Sequence, residues 1–221
     1  DRACWDALLD LKLFPLSRWQ SISPYLNHSQ WHVRWGCAQK LLMFQSQEVL
    51  EKALTLLNDS SEDVREVGKA IIRKHGVLAV PSLIQALIRS DILCNDVLQE
   101  LMIDVGEPAF PELEIALNHS NLSVSHSCIF VVWKIGGPES ESILLRALDI
   151  DSVQKHAIVF LGFMKSKRAV SYLIRSFKKP KLRSLILQSL FEIGQEESCP
   201  FIVKLLSMPS HHLSLQAERL A

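Results

Sequence analysis

An apolar residue recurs about every thirty positions along this chain, and that period constrains the fold more than any other feature. Val33, Val64, Cys94, Val124, Val153, Leu182 and Leu213 follow one another at intervals of 31, 30, 30, 29, 29 and 31. A second series, Leu26, Leu57, Leu87, Leu117, Leu148, Phe177 and Leu206, runs at 31, 30, 30, 31, 29 and 29. Two series that agree in period describe one unit repeated in tandem, and a unit of this length holds two antiparallel helices. The stretch Ser61 to Leu87 displays its parts. A polar start, Ser61-Glu62-Asp63, leads into an apolar stripe through Val64, Ile71 and Ile72, and Gly76 marks the stop. A second helix follows through Val80, Pro81, Leu83, Ile84 and Leu87, with Pro81 in its first turn, where a missing N–H does no harm. One such pair cannot bury its apolar face alone, so neighbours must stack.

The expected fold is therefore all-α: a right-handed α-α superhelix, or solenoid, of about six to seven tandem antiparallel helix pairs in a single domain over 1–221. Residues 1–27 read as an irregular N-terminal helix pair or cap, 28–210 as five regular repeats, and 211–221 as the first helix of a truncated repeat. Asp1 is not a methionine and Leu213 to Ala221 resembles half a pair, so a piece of a longer array is expected. Gly76, Gly106, Gly136 and Gly194 fall where paired helices turn, while Phe44 to Gln47 and Lys165 to Lys167 must turn by other means. Five scattered cysteines with no Cys-x-x-Cys pair suggest free thiols, and the register puts Cys37, Cys94, Cys128 and Cys199 in the core.

Asp63-Val64-Arg65, then Gly76, then Val80-Pro81-x-Leu83, resembles the HEAT-like repeat family, in particular the short repeats named after phycobilisome lyases. The likeness runs from about Ser29 to Ala221. The family's Val-Arg pair stands at Val33-Arg34 and Val64-Arg65 and as Leu182-Arg183, but is Cys94-Asn95 and Val124-Ser125 in the middle. The resemblance implies an armadillo-like helical scaffold. It also implies two alternatives: a bilin lyase-like protein or lyase subunit, and a DNA-binding helical repeat of the alkylation-glycosylase kind.

The chain carries 24 basic and 24 acidic residues, so no global field draws it toward nucleic acid or an anionic membrane. The charge is nevertheless segregated: residues 91–150 carry a net −8 and residues 151–183 a net +8. The candidate partner-binding residues are the cations Arg146, Arg175, Lys178, Lys179, Lys181 and Arg183, and the acids Glu107, Glu112 and Glu114. The competing reading is that adjacent repeats neutralise one another. Trp31 and Trp35, in a tryptophan-rich first stretch, complete the candidates, either as an anchor for a partner or as a plug for the open end of the array.

No His-Glu-x-x-His, zinc-finger spacing, Walker loop, dinucleotide fingerprint or nucleophile elbow occurs, so no metal, cofactor or catalytic residue is expected. No apolar run is long enough to span a bilayer, and a soluble, cytoplasmic protein is expected. The function that fits is a protein-binding scaffold or adaptor. The expected partner is another protein, met on a concave face lined by second-helix residues such as Gln85, Arg89, Glu114, Asn118, Arg146 and Arg175.

Overall fold

The computed structural model describes residues 19–88 and 95–206. Trp5, Cys4, the anchors Cys94 and Leu213, Arg89, and the helix expected at 211–221 lie outside the described residues. After two short 3-10 turns, Trp19–Ser21 and Ser23–Asn27, every regular element is helical. In chain order these are α1 (Trp31–Leu41), α2 (Gln47–Leu56), α3 (Glu62–His75), α4 (Val80–Ala86), α5 (Asn95–Val105), α6 (Phe110–Ala116), α7 (Leu122–Ile135), α8 (Gly137–Ala147), α9 (Gln154–Phe163), α10 (Val170–Ser176), α11 (Arg183–Ile193) and α12 (Gln195–Leu206). The architecture is a solenoid-like, all-α fold of stacked helix pairs. Among the described residues, no helix is long and apolar enough to cross a membrane.

The chain divides into two compact units, Asp1–Ala109 and Phe110–Ala221. In the first, α1, α3 and α5 pack in sequence as first helices, with α2 and α4 against them. In the second, α7, α9 and α11 form the first-helix row, and α8, α10 and α12 accompany it.

Both apolar series form the core. Val33, Val64, Val124, Val153 and Leu182 are buried, as are Leu26, Leu57, Leu87, Leu117, Leu148 and Phe177. Burying a side chain of this size contributes roughly 1.5–3 kcal/mol. The second series also ends its helices in one way: Leu57, Leu87 and Leu148 cap α2, α4 and α8 at φ −61° and ψ −21°, and Phe177 caps α10 at φ −61° and ψ −18°.

The turn glycines take the expected left-handed side, Gly76 at φ 56°, Gly106 at 73°, Gly136 at 74° and Gly194 at 127°. The two corners without glycine differ. Lys165 occupies the glycine position itself with φ 53°. Its N–H donates to Gly162 O at 2.9 Å and the Ser166 N–H to Leu161 O at 3.0 Å, the paired bonds of a Schellman stop. At the other corner the chain passes through extended Ser46, whose Oγ accepts from Val49 N–H at 3.3 Å to start α2. That corner is tied to the next pair, because Gln45 Nε2 donates to Lys74 O at 3.0 Å and Lys74 Nζ to Leu42 O.

Cys37 and Cys128 are buried as expected, and burial pushes the Cys128 thiol up to about 12, leaving it unreactive. Cys199 corrects the expectation, since it is exposed. The helix α12 starts directly after Gly194, without the 3-10 turn that precedes α4, α6 and α10. The residue turned inward is Ser198, four beyond the glycine just as Val80 and Phe110 are four beyond Gly76 and Gly106, and its Oγ donates to Gly194 O.

Candidate partner-binding surface

At four positions directly after a first-series anchor, the side chain is a donor that faces backward. Arg34 Nη1 donates to His28 O at 2.8 Å, Arg65 Nη1 to Asp59 O at 2.8 Å, Arg183 Nε to Phe177 O at 3.1 Å, and Gln154 Nε2 to Leu148 O. Each acceptor lies six residues upstream, in the loop joining one pair to the next. The guanidinium or amide thus staples the inter-pair loop, which explains the Val-Arg pattern physically. Ser125 is too short for that reach, and its Oγ lies against Asn121 O and Leu122 O at 3.3 and 3.4 Å.

The Arg34 staple is the most elaborate. Nε and Nη2 form a two-pronged pair with Asp59 Oδ2 and Oδ1, both at 2.6 Å, and the two side chains are only 11% and 8% exposed. Burial works to raise the Asp59 carboxyl. The Arg34 hydrogen bond, the Ser61 N–H at 2.8 Å and the nearby charges of Arg34 and Arg65 outweigh it, leaving Asp59 below the usual carboxylate range.

The candidate residues divide into engaged and open groups. Arg146 is engaged: it grips Glu114 with Nε–Oε1 at 2.6 Å and Nη2–Oε2 at 3.0 Å, and Glu139 lies 3.7 Å away. Arg73 likewise takes Asp104 at 2.7 Å and Glu100 at 2.9 Å, and Arg168 takes Glu141 at 3.0 Å. The neutralising role expected between adjacent repeats is thus seen for much of the acidic stretch. Glu107 sits at the exposed last corner of the first unit, and Glu112 is half-buried on α6 of the second. Arg183 is a staple, lying over the Phe177 ring at 5.6 Å.

The basic band is split. Lys165, Lys167 and Arg168 stand at the corner after α9, whereas Lys178, Lys179 and Lys181 follow α10, at the other end of the helix pair. With Arg175, these last three are exposed and, among the described residues, form no ion pair. Lys179 Nζ donates to the neutral Gln154 Oε1 at 3.2 Å, and Arg175 lies 4.6 Å over the Tyr172 ring. Trp31 is 47% exposed and Trp35 half-buried, so both ring systems reach the surface of α1.

One aromatic cluster was not anticipated. Trp133 stacks on Phe160 at 4.6 Å and 2°, with Phe130 and Phe163 around it and Lys134 4.4 Å over the indole, joining α7 to α9. The only sequence sign was the isolated Trp133. Of the second-helix residues expected to meet a partner, Gln85, Arg146 and Arg175 share one position of the repeat with Thr55 and Ile115, which sequence reasoning did not single out. Two residues before each second-series position stand Thr55 and Gln85 in the first unit and Ile115, Arg146 and Arg175 in the second, all exposed. Among the described residues, no group of three or more His, Cys, Asp or Glu is placed to hold a metal ion.

Fold and surface together define a helical-repeat protein that presents varied side chains from a repeated backbone position. No family model matches the chain, and no curated protein matches it. Solved structures similar to it include human deoxyhypusine hydroxylase in complex with glycerol, 16% identical over 98% of this chain and 88% of that one, with a TM-score of 0.44. YibA of Escherichia coli is 16% identical over 91% of this chain and 80% of its own, with a TM-score of 0.41. An engineered protein is 13% identical over 91% and 67%, with a TM-score of 0.38. The fold assignment rests on the helix pairs themselves.

Proposed function

We propose that the chain is a protein-binding scaffold whose second helices carry the recognition residues. The observation behind this reading is that the position two before a second-series residue is exposed in each unit, as Thr55 and Gln85 in the first and as Ile115 and Arg175 in the second. At one backbone position the side chain changes from hydroxyl to amide, to branched alkyl, to guanidinium, while the neighbouring core positions stay apolar. None of these side chains is part of the core, and Ile115 is 71% exposed. Helical-repeat proteins recognise partners in this manner, by varying exposed positions on a constant frame.

Capture of partners from a cell extract by the full chain tests the reading. Ile115→Asp combined with Arg175→Glu is expected to remove bound proteins that the unaltered chain retains, with the helical circular-dichroism signal unchanged. Identical recovery by both would overturn it.

A further inference from the structure

The four cations Arg175, Lys178, Lys179 and Lys181 lie within seven residues and stand exposed, with no carboxylate beside them among the described residues. Such a cluster repels itself and gains from any anion that joins it. Apolar surface adjoins it. Tyr172 on α10 is 44% exposed, α10 packs against α12, and Val203 of α12 is 57% exposed. Phe177 and Phe201, 5.3 Å apart and edge to face, join the two elements beneath.

We propose that α10, the turn Pro180–Leu182 and the exposed side of α12 form a docking surface for an acidic segment of a partner protein. Carboxylates of that segment meet Arg175, Lys178, Lys179 and Lys181, and an apolar side chain lies against Tyr172 and Val203. This rests on the scaffold reading above and names the partner's chemistry. A second copy of the chain has fewer carboxylates to offer, because Glu100, Asp104, Glu114, Glu139 and Glu141 already face arginines of their own units. A nucleic-acid strand fits less well too. Successive bases need a row of open aromatic faces to stack on, and here a single exposed ring, Tyr172, already carries Arg175 4.6 Å over one face.

Fluorescence anisotropy with a labelled peptide of glutamates and leucines tests the proposal on the full chain. Binding is expected, weakened roughly tenfold or more by Arg175→Glu with Lys178→Glu, and weakened again when the peptide's leucines become serines. A control reversal in the first unit, Lys40→Glu with Lys52→Glu, is expected to leave binding intact. Equal binding by the reversed cluster would overturn the proposal, and so would tighter binding of a single-stranded oligonucleotide of matched charge. Salt-sensitive self-association abolished by the same reversal would overturn it in favour of a second copy. If the peptide fails while protein capture still depends on Ile115, the scaffold reading stands and only the acidic partner is lost. If capture itself fails, the scaffold reading falls with it.

Discussion

Lys165 holds a backbone conformation that Gly76, Gly106, Gly136 and Gly194 supply elsewhere in the chain. A side chain in the left-handed region costs about 1–2 kcal/mol, and glycine's greater freedom in the unfolded chain offsets part of that. Lys165→Gly is therefore expected to stabilise the protein by about 0.5–1 kcal/mol in urea unfolding, and Lys165→Val to destabilise it. The position was legible as a corner, but its conformation was not, since the Leu161 to Ser166 bonds that impose it arise only once α9 has formed. Asp59 is the opposite case. Removing its carboxylate strands a largely buried guanidinium, so Asp59→Ala should cost about 3 kcal/mol, and Arg34→Met with Asp59→Leu together should cost less.

His156 adds a pH dependence. Burial, then His126 with ring centroids 4.3 Å away, then Lys155, lower its pKa below the usual 6.5. The folded chain thus favours the neutral ring, and the unfolded chain takes up the proton first. Stability should be intact above about pH 6.5, decline as pH falls below it, and level off once folded His156 is itself protonated. His156→Gln should flatten that decline in thermal melts. The lowered pKa of Asp59 acts in a separate window, its contribution being lost below the ordinary value of 3.8.

At the scale of elements, the closeness of α9 to α11 depends on one missing methyl group. A Cβ on Gly162 would stand 2.9 Å from the Ser189 Cα, whereas one on Gly68 would meet the Ala53 carbonyl and the Leu56 Cβ at 3.1 Å. Alanine gains helix propensity of up to about 1 kcal/mol at either site. The closer backbone clash at Gly162 should outweigh that gain, so Gly162→Ala is expected to destabilise by about 1–3 kcal/mol and Gly68→Ala to be far milder, by chemical denaturation. The helices, their order and most of their inward faces were legible because apolar spacing is a local code. The direction of Cys199 was not. The buried position lies four residues beyond the turn glycine, as Val80, Phe110 and Ser198 show, whereas Cys199 stands five beyond Gly194, and a repeat period that itself varies from 29 to 31 does not resolve one residue. The brace that Arg183 makes was not legible either, because its acceptor, Phe177 O, is a main-chain atom with no signature in the pattern.

Within each unit, contacts run between successive pairs, and stability in such arrays is approximately a sum of local and nearest-neighbour contributions. Asp59→Ala should accordingly speed amide exchange most in α1 to α4 and least in α9 to α11, as hydrogen-exchange mass spectrometry would resolve. The segregated charge reads differently once the structure is in view. Composition showed a dipole along the chain, but much of the acidic half is spent on Arg73, Arg146 and Arg168, and three-dimensional pairing alone reveals that the cations after α10 are left over. The backward-facing donors carry a mechanical consequence. Arg34, Arg65, Gln154 and Arg183 each brace a joint by reaching six residues upstream, whereas Ser125 reaches only the first turn of its own helix. Of the three joints described in the second unit, the one between α6 and α7 is therefore expected to yield first, as the softened coil of a spring does.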